Sequence, residues 1–98
     1  MTRVRIDVLG PLRVQVDGRP VAVDGERRRR LLAALVARRG VECDADWLVD
    51  VTWDGRSAPA ASATLQSHVA HLRRLLEPGR MAGTPWRVVQ GASNGYLL

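Results

Sequence analysis

Lysine and phenylalanine are absent from this 98-residue chain, and cysteine occurs once. A single thiol, Cys43, cannot form an internal disulfide, which excludes a small disulfide-stapled scaffold and fits a reducing cytoplasm. No apolar run approaches the roughly 20 residues of a membrane span. Met1-Thr2-Arg3 leads straight into an alternating pattern rather than an apolar signal region, so no export signal is read and the expected location is cytoplasmic. Neither a Ser–His–Asp arrangement, a phosphate-cradling glycine loop nor a paired-carboxylate motif is present, which argues against an enzyme. The Gly91–Gly95 stretch reads as a turn, not a nucleotide loop.

All 15 basic residues are arginine. With abundant Ala and Val, that bias marks a GC-rich genome more than a mechanism. A net charge of +5 favours an anionic partner, nucleic acid ahead of membrane. The length gives one domain, residues 1–98, with a single core.

Val4, Ile6 and Val8 alternate with polar residues from Arg3 to Leu9, the pattern of a half-buried strand. Gly10-Pro11 breaks it, and Leu12, Val14 and Val16 resume the alternation up to the hairpin signal Asp17-Gly18. Arg19 to Val23 returns as a short edge strand with Pro20 near its start. Glu26 to Arg39 reads as a helix with Leu31, Leu32, Leu35 and Val36 inward, stopped by Gly40 as a left-handed cap. Asp44 is the expected N-cap of a second helix carrying Leu48, Val49 and Trp53. A loop follows from Asp54 to Pro59, and Pro59 suits the start of a third helix that ends before Pro78-Gly79. Trp86 to Gln90 and Gly95 to Leu98 read as two closing strands around Gly91-Ala92-Ser93-Asn94. The order predicts an α+β fold: a winged helix-turn-helix with an N-terminal antiparallel sheet, three helices and a C-terminal β-hairpin wing.

The third helix carries the strongest functional signal. Leu65, Val69, Leu72 and Leu76 are spaced by 4, 3 and 4, which places them on one apolar stripe. Opposite lie Ala63, Ser67, Ala70, His71 and Arg74, flanked by Thr64 and Gln66. Such a small, polar, mildly basic face suits close approach to a DNA major groove, where Ser, Thr and Gln hydrogen-bond base edges and Arg forks onto guanine. An ordinary amphipathic surface helix would show the same stripe, and what separates the two is the hairpin that follows. Arg73 points about 100° from Arg74, leaving packing and phosphate contact both open for it. His68 lies toward the core edge, either packed or facing phosphate. With His71 three residues away a metal site has to be weighed, but zinc wants three or four ligands and no further cluster exists, so neither metal nor cofactor is expected. Arg27 to Arg30 form a basic run that is either a solvated face or a phosphate contact; cations at a helix N-terminus are locally unfavourable, which hints at a use. Trp47, Trp53 and Trp86 read as core or platform residues.

Several segments in order carry a family resemblance: Val8-Leu9-Gly10-Pro11-Leu12-Arg13-Val14, the Asp17-Gly18 turn, Leu31-Leu32-Ala33-Ala34-Leu35, Leu48-Val49-Asp50 with Trp53, Thr64-Leu65-Gln66-Ser67-His68-Val69, Leu72-Arg73-Arg74-Leu75-Leu76 and Gly95-Tyr96-Leu97-Leu98. They resemble the DNA-binding domain of the Streptomyces antibiotic regulatory protein (SARP) family, itself similar to the OmpR/PhoB effector domain. The resemblance implies an actinobacterial transcription activator. It would bind direct repeats of double-stranded DNA near a promoter, recruit RNA polymerase and control secondary-metabolite clusters. It also implies a monomer in solution that pairs head to tail on DNA, with the Asp54–Pro59 loop facing polymerase. A helical-repeat activation domain usually follows in the family, so a longer regulator is expected. Two departures stand out. The wing stretch Gly91–Asn94 lacks the arginine that many such wings place in the minor groove, which leaves backbone contact to phosphate around Asn94. Ala70 stands where several response-regulator relatives have a basic residue, which shifts weight to His71 and Arg74. The degenerate wing also keeps a second reading open: a protein-interaction module that has lost DNA binding.

Overall fold

The computed structural model describes residues 3–53 and 61–98. Three short strands come first: β1 (Val4–Asp7), β2 (Arg13–Val16) and β3 (Arg19–Val21), paired antiparallel in that order. Val16 pairs with Arg19 across a two-residue turn, and both turn residues, Asp17 (φ 52) and Gly18 (φ 78), take positive φ, as a tight primed hairpin turn requires. Alternation works as read: Val14 and Val16 are buried, while Arg13 and Gln15 face out. The third strand stops at Val21, two residues short of the expected Val23, which instead buries its side chain from the turn into the first helix.

Helix α1 (Glu26–Ala37) buries Leu31, Leu32, Ala34 and Leu35. Gly40 follows at φ 82, and its amide donates to the Leu98 carbonyl at 3.0 Å, tying the end of α1 to the last residue of the chain described. The strand β4 (Cys43–Asp44) leads directly into α2 (Ala45–Thr52). Asp44 does two jobs there, pairing in the sheet and capping α2 by accepting from the Asp46 amide at 3.0 Å. Trp53 lies just past the helix as its C-cap and is buried. Helix α3 (Ala61–Leu76) packs on α1 and α2. The expected loop Asp54–Pro59, with Pro59 as helix start, lies outside the described residues.

The wing is where the fold departs most from expectation. A strand over Trp86–Gln90 is predicted by alternation, but β5 covers only Gln90–Gly91, paired with β6 (Gly95–Leu97). The cause is Glu77, which is 8% exposed. Its Oε2 accepts from the amides of Arg87 at 2.7 Å and Val88 at 2.9 Å. Arg73 Nε donates to the Val89 carbonyl at 3.0 Å. With those backbone groups satisfied by side chains at the end of α3, the segment has no ladder to join. The second departure is β4 itself: the wing is a three-stranded sheet in the order β4-β6-β5. Gly95 sits so close to Cys43 that a Cβ there would overlap the Cys43 carbonyl. The closing sheet is therefore held against the start of α2 rather than projecting as a free hairpin. Among the described residues no helix is long and apolar enough to cross a membrane.

Candidate nucleic-acid interface

Helix α3 turns its two faces as its spacing predicts. Leu65, Val69, Leu72 and Leu76 are each 2% exposed or less. On the far side Ala63, Gln66, Ser67 and Arg74 are exposed, and Thr64, Ala70 and His71 are half-buried. The burial of the stripe orients the helix, and the short side chains opposite leave a low, polar surface that another macromolecule can approach closely.

Two of the residues weighed for DNA contact turn elsewhere. Arg73 leans across to the wing: besides its bond to Val89, its guanidinium lies 5.9 Å from the Trp86 ring and 5.5 Å from the Tyr96 ring. That geometry commits it to holding β5 and β6 against α3. His68 leans toward α1 and α2. Its Nδ1 accepts from Arg28 Nε at 3.2 Å, and its ring lies 6.0 Å from that of Trp53. Accepting at Nδ1 puts the ring proton on Nε2. Thr64, Gln66, Ser67, His71 and Arg74 remain together along the outer face. Asn94 is exposed in the wing turn, while its carbonyl is used inward, accepting from the Ala45 amide at 2.9 Å.

The site is electropositive, and its histidines register this. Burial pushes the His68 imidazole below its ordinary value, and Arg28, Arg27 and His71 push it further. Burial likewise lowers His71, helped by Arg28 and Arg74 and opposed by Asp24. Both rings are therefore neutral at pH 7. Neutral His71 can offer a donor and an acceptor to a base edge.

The basic run at the start of α1 is not a plain solvated face. Arg27 stands over Trp53 at 5.2 Å, Arg28 meets His68, Arg29 donates to the Val23 carbonyl at 3.2 Å, and Arg30 pairs with Glu26 at 2.8 Å. Each tryptophan serves as a platform for arginine: Trp47 under Arg38 at 4.1 Å, Trp86 under Arg80 at 4.0 Å, and Trp53 under Arg27. Sequence reasoning missed Glu77 and Arg80 as supports of the wing. A glutamate directly after the Leu75-Leu76 pair, before Pro78-Gly79, was the signal available. Among the described residues no group of three His, Cys, Asp or Glu side chains could hold a metal ion.

Comparison with known proteins agrees with this arrangement. Residues 19–98 match the family described as "Transcriptional regulatory protein, C terminal". The chain is 34% identical over 95 residues to the regulatory protein AfsR of Streptomyces coelicolor, covering 97% of this chain and 9% of that protein. It is 34% identical over 96 residues to the transcriptional regulatory protein EmbR of Mycobacterium tuberculosis, covering 98% of this chain and 24% of EmbR. The chain thus spans a quarter or less of the length of these relatives, both of them regulatory proteins by name. Among solved structures, Mycobacterium tuberculosis EmbR in complex with a low-affinity phosphopeptide superposes with a TM-score of 0.87 at 34% identity, over 100% of this chain and 25% of that one. The DNA-binding domain of Escherichia coli CadC superposes with a TM-score of 0.69 at 20% identity, over 88% of this chain and 77% of that one, a likeness of fold alone. A polar-faced helix on a buried stripe, a closing wing and these matches lead to one conclusion: the chain belongs to the transcriptional regulatory protein C-terminal family, of the OmpR/PhoB type, as a winged-helix DNA-binding domain of the SARP regulators.

Proposed function

We propose that residues 1–98 act as one DNA-reading module of a transcription activator, with α3 in the major groove. Ser67, His71 and Arg74 contact bases or adjacent phosphates, and Thr64 and Gln66 line the rims. The observation that carries this reading is the exposed small polar face of α3 above a fully buried leucine and valine stripe. Arg73 and His68 support that helix from its sides, through the wing and through α1. Asn94 offers the wing turn to the phosphate backbone.

The likeness to SARP regulators carries the finer reading. Two copies, monomeric in solution, bind head to tail on a direct repeat and help recruit RNA polymerase at secondary-metabolite promoters. With both recognition helices on one side of the duplex, the repeats lie about one helical turn apart, roughly 10–11 bp. Selection of bound sites from random duplexes tests the reading directly. A recovered direct repeat whose cooperativity is abolished by a 5 bp insertion supports it. An inverted repeat, or a binding curve unmoved by the insertion, refutes the head-to-tail arrangement.

A second reading, an interaction module that has lost DNA binding, draws on the wing, whose turn Gly91–Asn94 carries no arginine. Anisotropy at two salt concentrations separates the two, because phosphate contacts weaken steeply as salt rises.

A further inference from the structure

The arginines that open α1 sit at the positive end of a helix, where added cations are unfavourable. Arg27 and Arg29 are exposed, yet each of the four is also held by a contact within the fold. The first turn of α1, the Thr52–Trp53 end of α2 and His68 of α3 enclose a recess of about 440 Å³, with Arg27, Arg28 and Arg30 on its wall. Two independent features of this recess ask for the same ligand.

The first is its donor-rich lining. Gly25, the N-cap of α1, has no side chain to give, so the first-turn amides are uncapped. Arg28 bonds His68 through Nε, which leaves its terminal nitrogens for another acceptor. His68 itself, accepting at Nδ1, presents an Nε2 proton. Glu26, the carboxylate in the lining, already accepts from Arg30. The second feature is Thr52. It is fully buried, lines the recess, and its Oγ1 has no hydrogen-bond partner among the described residues. Buried hydroxyls are normally paired, and this one has a proton to give to an acceptor in the recess.

We propose that this recess is an anion site holding one backbone phosphate of the duplex that α3 reads, with the Thr52 hydroxyl, the first-turn amides of α1 and Arg28 as its donors. The proposal rests on DNA reading by α3 as argued above. A phosphate offers only acceptors, and helix N-termini bind phosphate through their amides and dipole. Its placement identifies the source. His68 belongs both to the recess and to α3, adjacent to Ser67 and three residues from His71, so a duplex lying on the outer face of α3 carries its backbone past the opening. An anion there also offsets the cost of concentrating arginines at the positive end of α1.

The test uses Thr52→Val, which keeps the shape and removes the hydroxyl, and Arg28→Gln, with anisotropy on the selected duplex and on an unrelated one across a salt series. Each variant is expected to weaken both duplexes by the same factor, about 3- to 10-fold. Arg28→Gln should also lower the salt slope by about 1. Neutral methylphosphonates placed one at a time should reveal a position where the parent loses affinity and Thr52→Val loses nothing more. Parental affinity and slope in both variants, with Arg74→Ala still weakening the selected duplex, would overturn the recess and leave α3 reading intact. A loss confined to the selected duplex also overturns it, because a phosphate contact is blind to sequence. A parent chain without salt-dependent binding to any duplex removes both readings. Should Thr52→Val fail to fold, as judged by thermal melting, Arg28→Gln at the wall carries the same comparison.

Discussion

Arg73 and Arg74 are neighbours in sequence with opposite duties, so replacing each by alanine separates folding from reading. Arg73 is half-buried, donates to the Val89 carbonyl at 3.0 Å and lies against two rings of the wing. A hydrogen bond from a charged donor contributes about 1.5–3 kcal/mol, and each partly exposed cation–π contact adds about 0.5–1 kcal/mol. The rotamer freedom that arginine regains on release offsets part of that sum. Arg73→Ala is therefore expected to cost about 2–3 kcal/mol of stability, a fall in melting temperature of about 8–24 °C for a domain near 100 residues. Arg74 is exposed on the reading face, so Arg74→Ala should stay within about 0.5 kcal/mol of the parent in stability. Its loss should appear in binding instead: about 1–3 kcal/mol against the selected duplex, or about 5- to 150-fold in Kd. Thermal melting by circular dichroism and anisotropy at one fixed salt concentration measure the two quantities independently. Early melting of Arg74→Ala at parental affinity, or melting of Arg73→Ala with the parent, would refute this division of duties.

Other substitutions and conditions give equally distinct outcomes. Leu72, fully buried in α3, should cost about 2–5 kcal/mol when cut to alanine; a variant as heat-stable as the parent would mean α3 is facing the other way. In Gly95→Ala the new methyl overlaps the Cys43 carbonyl, so β6 must part from β4 at a cost of about 2–4 kcal/mol; unchanged amide exchange at Ala45 and Tyr96 would refute that register. Burial together with nearby arginines holds the His68 and His71 rings below their ordinary value, so between those lowered values and about 6.5 the folded chain binds fewer protons than the unfolded one. Their contribution is present above pH about 6.5 and is lost as pH falls below it. Melting temperature should accordingly drop from pH 7 to pH 5, and drop less in His68→Gln; a flat profile contradicts the burial of these rings.

Much of this architecture is legible locally, and the parts that are not share a physical reason. The stripe of α3 announces itself because side chains 3 and 4 apart share a helical face, and all four of its residues are buried. Asp17-Gly18 announces a hairpin because positive φ is needed at both positions. The strand expected over Trp86–Gln90 fails because its amides are taken by Glu77, some ten residues upstream, and alternation carries no information about a competitor for the backbone. Two-residue β4 is shorter than any period, so only its partner Gly95, crowded against Cys43, reveals it. The reading face follows the same division. Ser67, His71 and Arg74 can be placed from spacing alone, whereas the fate of Arg73 depends on where Trp86 and Tyr96 come to rest. The run Arg27–Arg30 is visible in sequence as an electrostatic oddity at a helix start. The ring of His68, which accepts from one of these arginines, and the hydroxyl of Thr52 come from two other helices, and only packing those helices on one core brings them to the same recess.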